Sequence, residues 1–178
     1  MMRHVAPLTL ALLAAWLFAA IVPATVSAAV SLNDYEQQVL ALVNAERAAH
    51  KLPKLAPNAK LTKAARSHSK EMAQKQYFSH DSFSGESFSA RIISFGFTPK
   101  NCRYWKVGEN IFWGAGLYSS PVNVVDQWMA SPSHRKVLLT KSFRVAGVGA
   151  VVSEQGFGDV DSGAWFFTFD TGRRIVKK

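Results

Sequence analysis

Midway along the chain the hydrophobic pattern changes period, and that change restricts the fold more than any single motif. Up to about residue 95, apolar residues recur three and four apart, as on one face of a helix. Asn33-Asp-Tyr-Glu36 carries the N-cap and N3 acid of a capping box, and Val39, Leu40, Leu42, Val43 and Arg47 behind it predict a helix to about His50. Leu52-Pro-Lys-Leu-Ala-Pro57 is a proline-punctuated connector. A second helix places Leu61, Ala64, Ala65, His68 and Met72 on one face and ends near Tyr77. Ser87 to Phe95 predicts a short third helix, stopped by Gly96 at the C′ position.

Beyond that point the pattern shortens. Val107-Gly-Glu-Asn-Ile-Phe-Trp113 reads as a strand or a loop feeding one. Ser120 as N-cap and Pro121 at N1 open a helix through Val124, Val125, Trp128 and Met129, which Pro132 terminates. Val145 to Val152 and Ala164 to Phe169 are rich in strand formers, with Gly156, Gly158 and Gly163 marking the turn between them. Helices early and strands late predict an α+β domain with an antiparallel sheet rather than repeating βαβ units. A basic tail, residues 173–178, is expected to fray after Thr171.

Residues 1–29 are a different material. A short positive start at Met1-Met-Arg-His4 precedes an almost wholly apolar run from Leu8 to Val22. Pro23 breaks it, and Val26-Ser-Ala28 or Ser27-Ala-Ala29 offers small residues for cleavage, the parts of a secretory signal peptide. The alternative is a retained anchor, since the run approaches the ~18 residues of a spanning helix. Cleavage leaves no stable membrane span and directs the protein outside the cytoplasm, to the medium, the periplasm or the cell envelope.

What remains has 48% hydrophobic residues in the whole-chain composition, enough for one core and one domain. The single cysteine, Cys102, excludes an intramolecular disulfide and a cysteine-rich metal site. Twenty-one Lys+Arg against 12 Asp+Glu, formally +9, favour anionic partners such as membranes or envelope polymers. The charge is spread along the chain without a basic stripe of interleaved aromatics, which argues against nucleic acid.

Among the histidines, His50 is explained by its place at a helix end and His68 by burial on an apolar helix face. His80, beside Asp81, and His134, after Pro132, both stand where the chain leaves a helix, a common place for functional side chains. Glu109 is an acid in an apolar, glycine-flanked segment. Its burial costs several kcal/mol unless it is paired, and an imidazolium is a suitable partner. Spacing alone does not show that the three converge. No H-E-x-x-H, G-x-S-x-G or Walker loop is present.

The same residues carry a family resemblance. Leu40-Ala-Leu-Val-Asn-Ala-Glu-Arg47, Leu61 to Met72, Phe78-Ser-His80, Gly108-Glu-Asn-Ile111, Trp128-Met-Ala-Ser-Pro-Ser-His-Arg135 and Val145-Ala-Gly-Val-Gly149 follow in order. Arg91 before Gly96-Phe97 and the closing Trp165-Phe-Phe-Thr-Phe169 also match. Together they resemble the CAP superfamily of secreted proteins (cysteine-rich secretory, antigen-5 and pathogenesis-related), in its bacterial SCP-like branch, with residues 30–172 as the domain. The resemblance implies a three-layer α–β–α sandwich and a central cleft lined by two histidines and acids. His80 and His134 match the histidines, and Glu109 matches the acid of the Gly-Glu-Asn motif. Ser131 stands where many eukaryotic members have a second acid, and Ser133 and Val137 are smaller departures.

Several functions follow from the resemblance. One is a secreted, monomeric binding domain whose cleft, lined by His80, Glu109, His134 and Ser131, accepts a small ligand, a lipid or an envelope component. In some relatives the paired histidines hold a divalent metal such as Zn²⁺, and His80 and His134 would be its ligands, half of a tetrahedral shell. A second is a hydrolase, with His80 or His134 as general base and Glu109 orienting it, or with metal-activated water. The sequence shows no oxyanion hole for it. A third is structural, with function in surface contacts to the envelope.

Overall fold

The structure, a computed structural model, describes residues 32–178, so the expected signal peptide lies outside the described residues. Helix α1 (Asp34–Ala49) begins with the capping box read from sequence. Asn33 Oδ1 accepts from the Glu36 N–H and Glu36 Oε2 accepts from the Asn33 N–H, both at 2.9 Å. A two-residue strand β1 (Ala56–Pro57) leads to α2 (Ala59–Lys75), capped by Asn58, and α3 (Phe88–Ser94) follows a long connection. Gly96 takes φ +91° just past α3, the left-handed conformation that stops a helix there. Strand β2 (Cys102–Gly114) resolves the ambiguity of the Gly-Glu-Asn segment in favour of strand. After one 3-10 turn (Gly116–Ser119) come α4 (Pro121–Ala130), α5 (Pro132–Leu138), β3 (Val145–Ser153) and β4 (Ala164–Val176).

The sheet runs β1-β3-β4-β2, with α2 and α3 on one face and α1, α4 and α5 on the other. Side chains alternate along β4 accordingly. Phe167 and Phe169 pack with Val39, Val43, Trp128 and Leu138, whereas Phe166 points the other way to Met72 and Ala73. The expected three-layer α+β arrangement is therefore present.

Three expectations need correction. The sheet is mixed, because β1 pairs with β3 in parallel, Ala56 opposite Val145. It stays short because the chain turns into α2 at Ala59, with Asn58 bonding the Ala146 carbonyl through its N–H and capping the helix with its side chain. Pro132 does not simply end a helix: Ser131 is both the C-cap of α4 and the N-cap of α5, and Pro132 opens α5 at N1. His134 is therefore helical rather than in a turn. Finally, the basic end is not frayed after Thr171, since Arg173 and Arg174 pair with Lys106 and Trp105 and β4 continues to Val176.

Helix α2 seats on β3 without side chains between the two backbones. A Cβ at Gly147 would collide with the Thr62 backbone and one at Gly149 with the backbone of Ala65 and Arg66. Ser69 Oγ donates to the Gly149 carbonyl at 3.0 Å and holds the helix in register with the strand. We predict that Gly149→Ala costs about 3 kcal/mol or more, because main chain must move to admit the methyl group. Urea denaturation should show a correspondingly lower midpoint.

Candidate functional site

Glu109 lies in the middle of the edge strand β2 and is buried. A carboxylate removed from water needs partners for both oxygens. Oε1 accepts from His80 Nδ1 at 2.8 Å, and Oε2 accepts from the Arg91 guanidinium. Arg91, in the last turn of α3 and only 3% exposed, also donates to the His80 carbonyl at 3.2 Å and to Ser82 Oγ at 2.9 Å. One buried cation thus fixes both the acid that His80 touches and the backbone that carries His80.

A second tie comes from α2. His68 is buried, as expected, and its Nε2 donates to the Ser79 carbonyl at 2.8 Å. Burial first and the Arg91 charge second lower its pKa, so it serves as a neutral donor. The His80 ring itself is about half exposed. Because the carboxylate only accepts, Nδ1 carries the proton of their hydrogen bond, and a neutral ring leaves Nε2 as an acceptor facing outward.

Beneath Glu109 is an acid that the sequence reading missed. Asp170 stands directly opposite Glu109 in the β2–β4 register and is completely buried. Neither of its oxygens has a hydrogen-bond donor among the described residues. Two carboxylates can bond only if one holds a proton. Burial, then the Glu109 charge, raise the Asp170 pKa well above its ordinary value, with Arg91 opposing, which favours the protonated acid beside Glu109. Alternation was the available clue, since Asp170 shares the α2 face of β4 with Phe166 and Thr168.

His134 approaches from α5, partly buried. Glu109 and Asn110 are successive strand residues and leave opposite faces of β2. Asn110 turns to α5, where Nδ2 donates to the His134 carbonyl at 3.0 Å. Burial first, then the His80 charge, lower the His134 pKa, so the two imidazoles resist carrying charge together. Ser131 is not drawn into this set: its Oγ lies 3.2 Å from Ser133 Oγ, and it has no bond to His80, Glu109 or His134.

The donors do not fit a resident metal. Both Glu109 oxygens and His80 Nδ1 are engaged, which leaves no more than one ring nitrogen from each histidine. Among the described residues no group of three or more His, Cys, Asp or Glu side chains is arranged to hold an ion. The Cys102 thiol, at the far end of β2, donates to the Thr98 and Lys100 carbonyls.

Residues 40–170 match the model of the CAP family, described as the cysteine-rich secretory protein family. The chain is 40% identical over 129 residues to the uncharacterized protein YkwD of Bacillus subtilis (strain 168), covering 72% of this chain and 47% of that one. It is 32% identical over 114 residues to the uncharacterized membrane protein YlbC of the same organism, covering 64% and 31%. It spans less than half the length of either relative. An extracellular SCP-domain protein from Bacillus anthracis superimposes with TM-score 0.61 at 32% identity, covering 82% of this chain and 41% of that one. An outer surface protein of Borrelia burgdorferi shares the fold at TM-score 0.62 and 16% identity, covering 83% and 97%.

Two predictions test the buried cluster. Arg91→Met should cost about 3–5 kcal/mol, because it strands Glu109 without its cation, measured by urea denaturation. Asp170→Asn places an amide donor beside Glu109 and removes a group whose folded pKa is raised. That group's contribution is complete below about pH 3.8 and is lost as pH rises toward the folded pKa. The variant should therefore melt higher than the parent at pH 7, and the difference should close as pH falls to 4. A variant that melts lower at every pH would mean that Asp170 is ionised.

Proposed function

Because the chain belongs to the CAP family of cysteine-rich secretory proteins, we propose that it acts outside the cytoplasm as a binding protein whose cleft holds a small ligand, a lipid or a fragment of the cell envelope. The observation that carries this reading is the fixed orientation of His80. Its Nδ1 is held by buried Glu109, which is held in turn by buried Arg91, so the outward Nε2 is a pre-positioned acceptor. His134, whose pKa is lowered first by burial, adds a second imidazole. A ligand suited to these groups presents hydroxyl or amide N–H donors, as sugars and peptides of an envelope do. Extracellular neighbours support the location, and no described helix is long and apolar enough to cross a membrane.

A hydrolase is the second reading, favoured by the His80–Glu109 contact, which is the arrangement of a base and its orienting acid. Ser131 and Ser133 contact each other rather than either imidazole, so the nucleophile in such an enzyme would be water.

Soluble wall fragments and lipids should be screened against the protein while its imidazole NMR resonances are followed. A cleft ligand should shift His80 and His134, and His80→Ala or His134→Ala should each weaken it about tenfold, the value of one well-placed hydrogen bond. Equal affinity in both variants would sink the cleft reading. Peptide or ester turnover that disappears in both His80→Ala and Glu109→Gln would favour the hydrolase.

A further inference from the structure

A second concave site lies where β4 outruns β3. The β3–β4 ladder begins at Val145 opposite Gly172, so Arg173 to Val176 pair with β2 alone and have no strand on their other side. A cavity of about 410 Å³ occupies that space, bounded by Asn58 at the cap of α2 and Lys60 in its first turn, Gly96 and Phe97 after α3, Arg144 and Val145, and the overhanging end of β4. None of these residues belongs to the His80–Glu109–His134 cluster.

The lining is unbalanced in charge. Lys60, Arg144, Arg173 and Arg174 contribute four cations and there is no acid. None of the four takes part in an ion pair among the described residues. Such side-chain hydrogen bonds as they make go to neutral carbonyls. Lys60 Nζ donates to Gly96 O at 3.0 Å, Arg144 to Lys141 O and Phe143 O at 2.6 and 2.7 Å, and Arg174 to Thr98 O and Lys100 O at 3.0 and 3.1 Å. Those bonds orient the cations without neutralising them. The positive field also reaches inward: the pKa of buried Arg47 is lowered, first by burial and then by Arg144. The amides opening α2 are already taken by Asn58 Oδ1, so the helix end adds little to the site.

We infer that this cavity is a binding site for a phosphate group, with Arg144 and Arg173 as its principal contacts. Guanidinium forks pair with phosphate oxygens two at a time, and a tetrahedral anion can engage several cations at once where a planar carboxylate presents only two oxygens. Phe97, Val145, Ile175 and Val176 give the same cavity an apolar wall, which suits a phosphate attached to a hydrocarbon portion. The phosphate is either free in solution or the headgroup of an anionic lipid. This site is independent of the ligand reading for the His80 cleft.

Two arms separate the sources. In the first, the protein is titrated with inorganic phosphate, with sulfate-free buffer and constant ionic strength, while Tm and heat are recorded. In the second, it is sedimented with phosphatidylcholine vesicles with and without phosphatidylglycerol. Arg144→Gln and Arg173→Gln are compared with Lys136→Gln, an exposed lysine on α5 outside the cavity. Saturable phosphate binding that each arginine change weakens about tenfold, and the lysine change does not, supports a free phosphate ligand. Binding confined to phosphatidylglycerol vesicles with the same variant pattern supports the headgroup. Absence of binding in both arms, or equal losses in all three variants, overturns the site.

Discussion

The direct seating of α2 on β3 is the constraint on which the rest of the structure depends. Gly147 and Gly149 let two backbones meet where any side chain would hold them apart. That contact sets the height of α2 over the sheet, and with it the position of His68. His68 then reaches the Ser79 carbonyl and fixes the segment that delivers His80 to Glu109. The His80–Glu109 contact is thus inherited from a packing distance set on another strand.

Buried polar ties do here what disulfides do in many exported domains. Arg47, fully buried in α1, donates to the Pro53, Leu138, Thr140 and Phe143 carbonyls, joining the first helix to the chain after α5. Glu36 is buried in the same helix and is paired with Arg66 on α2. Arg91 joins α3 to β2 through Glu109. Each of these pairs neutralises or satisfies a group that would otherwise oppose folding, and each spans a long stretch of sequence. With a single half-buried cysteine, the molecule has no covalent substitute for them.

Local signals were the legible ones. Asn33 and Glu36, Ser120 and Pro121, and Gly96 each specify a helix end by hydrogen bonding or backbone conformation within a few residues. The two-residue strand at Ala56 was not legible, because its partner is the start of β3, far along the chain. Pro132 was ambiguous because proline suits both the end of one helix and the start of the next. His80, Glu109 and His134 could be named from their motifs, but only the fold shows how Arg91 holds the first two together. Asp170 was overlooked because an acid near the end of a strand looks like an exposed terminus. Its burial follows from β4 continuing beyond it, paired on both sides.

Asp170 also changes how the acids around Glu109 should be compared with those of relatives. At Ser131 the family resemblance implies one acid fewer than a two-acid set would have. The folded molecule nevertheless has a second carboxyl opposite Glu109, contributed by β4, with its pKa raised by burial and by the Glu109 charge. Charge and hydrogen-bonding capacity at a cleft are properties of a volume, and any strand or helix bordering that volume can supply them. Two such proteins can therefore differ at the aligned column and still keep similar chemistry. They can also agree at every column and differ by one proton.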